Sequence, residues 1–224
     1  MLRFSLLALF LGLATAAASQ TAPTSGEIAA SGPLFRAAHE GNVAEIKRLI
    51  AAGADVDARD PKGRTPAHAA AFASKDAALA ALAEAGADMN ALEGEAYDMV
   101  TIAAVADDPE LMSLAITLGN DPGLVTSPYE GTALIAAAHL GHVEVVRRLI
   151  AAGAPLDHVN SLHWTAVMEA VVLGDGGADH QAVLDALLSA GADRTLPGPN
   201  GLAPLEHAER RGFSGMAARL RQKD

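Results

Sequence analysis

Histidines at metal-ligand spacing are the first residues in this sequence that could carry chemistry. His139 and His142 lie three residues apart with Glu144 nearby, and His158 and His163 form a second pair. A catalytic zinc site needs three protein ligands with supporting hydrogen bonds, and nothing in the sequence brings either set together. We therefore predict no metal site and no catalytic residue, and we keep a metal-dependent enzyme using these histidines as a third alternative.

An acidic, glycine-rich stretch at Asp175–Asp179 resembles the start of a calcium-binding loop. The bidentate glutamate that should close such a loop is replaced by Ala186. We interpret the stretch as a loop between two helices, and no cofactor is expected. His68 is interpreted as a structural residue that bonds the neighbouring Thr65 turn.

The first residues have the pattern of an export signal. Arg3 precedes the uncharged apolar run Phe4–Leu13, and the small residues Ala14–Ser19 offer a cleavage site. An apolar run this short falls below the roughly 20 residues of a membrane helix. Residues 1–19 are therefore predicted to be a cleaved signal peptide, which makes the protein periplasmic or, alternatively, secreted, without stable membrane insertion.

Charge and composition narrow the class of partner. The formal net charge is −11, which argues against nucleic acid and anionic lipid because both require clustered cations. The chain has no cysteine, so neither a lipid-modified cysteine nor a disulfide is available. Half of the residues are hydrophobic but only 4% are aromatic, which predicts a core of alanine and leucine.

An internal repeat organises the rest of the chain. The heptapeptide RLIAAGA occurs at Arg48–Ala54 and again at Arg148–Ala154. A glycine follows each leucine-rich segment at intervals of 33, 33, 34 and 38 residues. These glycines are Gly53, Gly86, Gly119, Gly153 and Gly191. A period of this length is typical of a solenoid built from stacked units.

Each unit contains the signals of two helices. Thr65 can cap the first helix while Pro66 occupies its first position, where a missing N–H costs nothing. In a later unit Val143, Val146 and Leu149–Ile150 form an apolar stripe on the second helix. Gly153 is expected to end that helix in a left-handed conformation.

The segments Gly63–Ala70 and Gly141–Ile150 resemble the turn, first helix and second helix of ankyrin repeats. The resemblance implies an all-α ankyrin-repeat solenoid of about six stacked helix-turn-helix units with short β-turn fingers, covering residues 31–224. The expected units are 31–61, 62–94, 95–127, 128–160, 161–198 and 199–224.

Two regions depart from a regular array. The third unit has Asp98–Met99 in place of the Thr-Pro turn and Asp107 in place of the central glycine, which predicts weaker turn chemistry. Before the first unit, in residues 20–30, Thr24 and Glu27 could form a capping box. That segment is either a short capping helix or a linker.

The resemblance also implies that a partner protein docks on the concave side, formed by the fingers and the exposed end of each first helix. Large rings in an alanine-rich chain are expected at such an interface, although they could instead pad the fingers. Arg59, Lys62 and Arg64 would add a basic spot suited to an acidic patch. The predicted partner-binding residues are Arg59, Arg64, Phe72, Tyr97, Tyr129, His139 and Trp164.

The sequence thus predicts a non-enzymatic protein that binds another protein. The partner is expected to be an envelope or stress-protection enzyme for which this chain is an accessory protein. The alternative is an inhibitor or immunity protein that blocks a toxin or hydrolase.

Overall fold

The computed structural model describes residues 22–222, and the predicted signal peptide lies outside them. These residues form thirteen helices and no strand, with one isolated bridge between Thr126 and Gly131. The helices are α1 (Ser25–Ala30), α2 (Pro33–Glu40), α3 (Val43–Ala51), α4 (Pro66–Phe72), α5 (Asp76–Glu84), α6 (Met99–Ala106), α7 (Pro109–Thr117), α8 (Ala133–Leu140), α9 (Val143–Ala151), α10 (Ala166–Val172), α11 (Ala178–Ser189), α12 (Pro204–Arg210) and α13 (Ser214–Arg221).

Helices α2 to α13 form six consecutive pairs. The first helix of each pair packs on the first helix of the next, from α2 through α4, α6, α8 and α10 to α12. Among the second helices, α3 packs on α5, and α7, α9, α11 and α13 pack in that order. Because each unit contacts chiefly its neighbours, one continuous core runs along the array. The predicted all-α solenoid of six units is confirmed.

Buried alanines allow the helices to pack closely. Many alanines are fully buried, among them Ala38, Ala70, Ala104 and Ala138, and each of these lies on a first helix. Their small side chains let successive first helices approach each other, while leucines such as Leu149 fill the space beneath the second helices.

The buried face of α9 differs from the predicted stripe at three positions. Val145, Val146 and Leu149 are fully buried, whereas Val143 and Ile150 are only partly buried at the edge of the core. The predicted stripe omitted Val145 because the prediction considered apolar residues on only one side of the helix. Helix α9 contacts both α8 and the flanking second helices α7 and α11, which widens its buried face.

The five repeat glycines all adopt positive φ angles, between 84° and 104°, just after their helices. The predicted left-handed cap at Gly153 is confirmed, with a φ of 84°. In the third unit Asp107 occupies the same left-handed region in place of a central glycine, with a φ of 52°.

The turn of the third unit is not weaker, which corrects the prediction from Asp98–Met99. The Asp98 carboxylate accepts hydrogen bonds from Thr101 N at 2.8 Å, Thr101 Oγ1 at 2.6 Å and Asn120 Nδ2 at 2.8 Å. Burial raises the pKa of Asp98 above its usual value, and these three bonds oppose that effect. A carboxylate can replace the capping threonine here because Asn120 supplies an additional donor.

Of the two alternatives for the segment before the first unit, the structure contains the helix. Thr24 and Glu27 make both capping-box hydrogen bonds at the start of α1. Ile28 is buried against α2, so α1 covers the first unit. The Glu27 carboxylate also reaches Lys62, at 2.9 Å, on the finger that precedes α4.

Candidate functional site

The fingers are short turns, each stabilised by one polar side chain that accepts backbone N–H groups. Asn160 Oδ1 accepts from both Leu162 N and Trp164 N at 3.0 Å. The same arrangement recurs in three other fingers, with an oxygen-bearing side chain at the corresponding position. These residues are Asp60, Glu93 and Ser127. The last finger has Gly198 at this position, and Asn200 accepts one bond, from Leu202 N.

Neighbouring fingers are joined by backbone hydrogen bonds. Gly94 N donates to Lys62 O at 2.7 Å, Ser127 N to Ala96 O at 2.8 Å, and Ser161 N to Tyr129 O at 2.8 Å. The fingers therefore form one continuous surface instead of four independent loops, and their side chains are held at fixed positions.

A cleft opens between this surface and the ends of the first helices in units three to five. We call it the concave cleft. It encloses about 730 Å³, part of it open to solvent. It is lined by Tyr97, Thr101, Val105, Thr126, Ser127, Tyr129, Gly131, Thr132, Ile135, Ala136, His139, Leu140, Asn160, Leu162, Trp164, Glu169 and Leu173.

Aromatic and aliphatic side chains dominate the lining. Tyr97 and Trp164 are each only 7% exposed, so their rings are packed into the wall, while Tyr129 is half-buried. Three of the six aromatic residues in the described chain therefore lie in this one cleft. A wall of large rings held in fixed positions is typical of a binding surface.

A buried polar group lies among these apolar side chains. Glu169 Oε1 accepts from Asn160 Nδ2 at 3.2 Å, and Glu169 Oε2 lies 3.1 Å from His139 Nδ1. Only 4% of Glu169 is exposed. The Asn160 side chain therefore makes two kinds of contact. Its oxygen accepts the backbone N–H groups of the finger, and its nitrogen donates to Glu169, so the finger is linked to helix α10.

Sequence reasoning missed Glu169 and Asn160, although the repeat register contains a signal for the glutamate. In units two to four its position is occupied by Ala69, Ile102 and Ala136, so a carboxylate there is an exception. Asn160 shares its finger position with Asp60, Glu93 and Ser127, but its bond to Glu169 depends on the fold bringing the two residues together.

Four of the seven predicted partner-binding residues line the concave cleft: Tyr97, Tyr129, His139 and Trp164. The other three lie in unit two or the finger before it. Phe72 is half-buried and packs against the core. Arg59 is exposed, but its guanidinium donates to the carbonyls of Gly63 and Leu92, which ties two fingers together.

The prediction that Arg64 contributes to a basic spot on an open surface is wrong, whereas Arg59 and Lys62 are exposed. Arg64 is 3% exposed and forms an ion pair with Asp60, with Nη2 2.6 Å from Oδ2. Glu27 of α1 lies 3.5 Å from Arg64 and 2.9 Å from Lys62. The Thr24 backbone bond and the Lys62 ammonium lower the pKa of Glu27 to about 2, so it stays ionised. Carboxylates therefore neutralise these cations within the chain.

Two other histidines with metal-like spacing bind backbone carbonyls. His142 Nδ1 lies 2.8 Å from Ala104 O of the preceding unit, and His158 Nε2 lies 2.6 Å from Glu130 O on the neighbouring finger. His139 bonds Glu169 instead, so His139 and His142 face different partners. Within residues 22–222 no group of three or more potential ligands is positioned to hold a metal ion.

His68 is a structural residue, as predicted. Its Nδ1 accepts from Thr65 N at 3.1 Å and lies 2.9 Å from Thr65 Oγ1, while Nε2 lies 3.1 Å from Tyr97 O. Desolvation lowers the pKa of His68 to about 4, because the fully buried ring is penalised when charged. The bond to Tyr97 also links unit two to the finger that carries a cleft residue.

The acidic stretch of unit five packs against the array. Asp175 Oδ1 accepts from Gly177 N at 2.7 Å and lies 2.9 Å from His180 Nδ1. His180 Nε2 lies 2.9 Å from the His139 carbonyl at the end of α8. Residues 175–177 form a loop between α10 and α11, as interpreted from the sequence, whereas Ala178 and Asp179 belong to the first turn of α11.

The architecture defines a class: an α-helical repeat protein whose concave side carries an apolar cleft. A family model described as ankyrin repeats (3 copies) matches residues 9–93 and 100–221. The chain belongs to the ankyrin-repeat family. Ankyrin repeats imply protein–protein interaction, and the fold is typically a non-enzymatic binding scaffold.

Relatives share most of the chain. It is 33% identical over 185 residues to a protein described as putative ankyrin repeat protein YahD from Escherichia coli, covering 82% of this chain and 92% of the relative. A solved ankyrin repeat domain from Acinetobacter baumannii is 39% identical with a TM-score of 0.79, covering 84% of this chain and 95% of that domain.

A third solved structure is 22% identical with a TM-score of 0.71, and the match covers 87% of this chain and 99% of that chain. At this identity the similarity shows the fold alone. It comes from a solved complex of a predatory endopeptidase from Bdellovibrio bacteriovorus with an immunity protein. Across residues 22–222 of the present chain, no helix combines the length and apolar character needed to cross a membrane.

Proposed function

We propose that this protein is an exported accessory protein of the bacterial envelope that binds another protein through the concave cleft. The observation that carries the proposal is the concentration of aromatic side chains in that cleft within a protein otherwise built on alanine and leucine. The partner that we propose is an envelope or stress-protection enzyme. Export to the periplasm rests on the signal pattern of Arg3, Phe4–Leu13 and Ala14–Ser19.

The packing of the cleft supports a preformed binding surface. The fingers are joined by backbone hydrogen bonds, and Asn160 ties one of them to α10 through Glu169. A rigid surface loses little conformational entropy when a partner docks, so more of the contact energy remains as affinity.

A capture experiment with a filled cleft tests the proposal. Ala136 is partly buried in the cleft wall, so Ala136→Arg introduces a long side chain into the binding space. Ala77 is exposed on α5, which makes Ala77→Arg a matched control with the same change of residue. The mature protein and both variants are incubated with periplasmic extract after circular dichroism has checked their folding.

We expect the unmodified protein and Ala77→Arg to retain the same partner, and Ala136→Arg to lose it. Equal retention by all three proteins would place the partner elsewhere on the solenoid. A partner lost from both variants would indicate that added positive charge, and not the cleft, controls binding.

A second candidate function is inhibition of a toxin or hydrolase, as an immunity protein. It is favoured by the formal charge of −11, which suits a basic target. The immunity-protein complex with an endopeptidase gives a precedent among proteins of this fold. Enzymatic assay of the captured partner separates the two functions, because an inhibitor abolishes its activity and an accessory protein preserves it.

A further inference from the structure

The concave cleft contains a buried carboxylate with no lysine or arginine beside it. Glu169 is the one carboxylate among the lining residues, and none of those residues is a lysine or arginine. Its two hydrogen-bond partners are the Asn160 amide and the His139 ring, neither of which is a permanent cation. A carboxylate that is 4% exposed loses most of its hydration, so a cation placed beside it is strongly favoured.

The rings around Glu169 favour the same kind of occupant. Tyr97, Tyr129 and Trp164 all line the cleft. The face of an aromatic ring attracts a cation, and a planar guanidinium can also stack on it. Aliphatic residues such as Val105 and Leu173 complete the lining and can contact the methylene stem of a long cationic side chain.

No lysine or arginine of the protein itself lines the concave cleft beside Glu169. Of the three cations expected to form a basic spot, Lys62 and Arg64 are paired with Glu27 and Asp60, and Arg59 donates to the Gly63 and Leu92 carbonyls. The whole chain carries a formal charge of −11, so its field attracts cationic segments toward the molecule.

We infer that the concave cleft receives an arginine side chain from an extended segment of the partner protein. The guanidinium lies beside the Glu169 carboxylate among the three rings, and flanking apolar residues of the segment contact the aliphatic part of the lining. This inference rests on the proposed function and specifies the partner: a protein with an exposed arginine between apolar residues. It replaces the acidic partner patch expected from the sequence.

Selection from a library of random displayed heptapeptides tests the inference without knowledge of the partner. The mature protein is expected to enrich peptides with arginine at one fixed position. The best peptide is then synthesised with arginine or with citrulline, which keeps the shape but has no charge. We expect the citrulline peptide to bind about tenfold more weakly, as loss of a desolvated cation contact predicts.

Two variants complete the test. Glu169→Gln keeps the size of the side chain and removes its charge, so the preference for arginine over citrulline should disappear. Glu144→Gln makes the same change on α9, where Glu144 is exposed and outside the cleft, and should keep the preference. Three outcomes would overturn the inference. They are the selection of peptides without a cation, the absence of any enrichment, and equal binding of the arginine and citrulline peptides. The proposed function stands in those cases if Ala136→Arg still loses the captured partner.

Discussion

At the scale of single residues, His68 shows how a titratable side chain becomes part of the framework. Its ring is fully buried between Thr65 and the Tyr97 carbonyl, and its pKa is lowered to about 4 from an ordinary value of 6.5. The unfolded chain therefore takes up a proton at a higher pH than the folded protein does. Stability from this residue is complete above pH 6.5 and decreases as the pH falls towards 4.

We expect the free energy of unfolding to fall by about 2 kcal/mol between pH 7 and about pH 5 because of His68 alone. Denaturant unfolding at the two pH values, on the natural protein and on His68→Gln, measures this loss. The variant should be less stable at pH 7 but should lose about 2 kcal/mol less on acidification. The same loss in both proteins would show that the ring is charged in the fold.

Residue roles were predictable where they follow from the local turn. His68 is three residues from Thr65, and its structural role could be inferred from that spacing. Arg64 could not be placed correctly, because its burial depends on Asp60 and on Glu27 of α1, which the sequence does not show to be close. Glu169 was missed for a related reason: its partner His139 is 30 residues away.

At the scale of elements, the contribution of each second helix to the free energy of unfolding depends on how deeply its leucine is buried. Leu149 on α9 is fully buried. Leu149→Ala should lower the free energy of unfolding by roughly 2 to 5 kcal/mol, since it leaves a cavity in a close-packed core. Arg147→Ala, on the exposed side of the same helix, should change it by less than about 0.5 kcal/mol. Equal effects of the two substitutions in thermal or denaturant unfolding would contradict this assignment of faces.

The existence of the paired helices was predictable because capping residues, apolar stripes and glycines recur with the repeat. The width of the buried face was not, since α9, which carries the buried Val145, packs against α7 and α11 of the neighbouring units as well as against α8. The Asp98 turn also escaped prediction, because its strength comes from Asn120, 22 residues later.

At the scale of the whole molecule, the candidate site belongs to no single repeat. The concave cleft takes Tyr97 from the finger before α6, His139 from α8 and Glu169 from α10, so it exists only when three units are stacked. The sequence predicted which face would carry large rings. It could not predict the cleft, because the distance between fingers and helices is set by packing along the array.

The most direct test of the central claim is site-specific photo-crosslinking in cells. A photoreactive phenylalanine analogue replaces Leu162, which lines the concave cleft, or Ala77, which is exposed on α5. The account predicts one crosslinked partner from position 162 and none from position 77. Crosslinks to the same partner from position 77 alone, or equally from both positions, would contradict binding through the concave cleft.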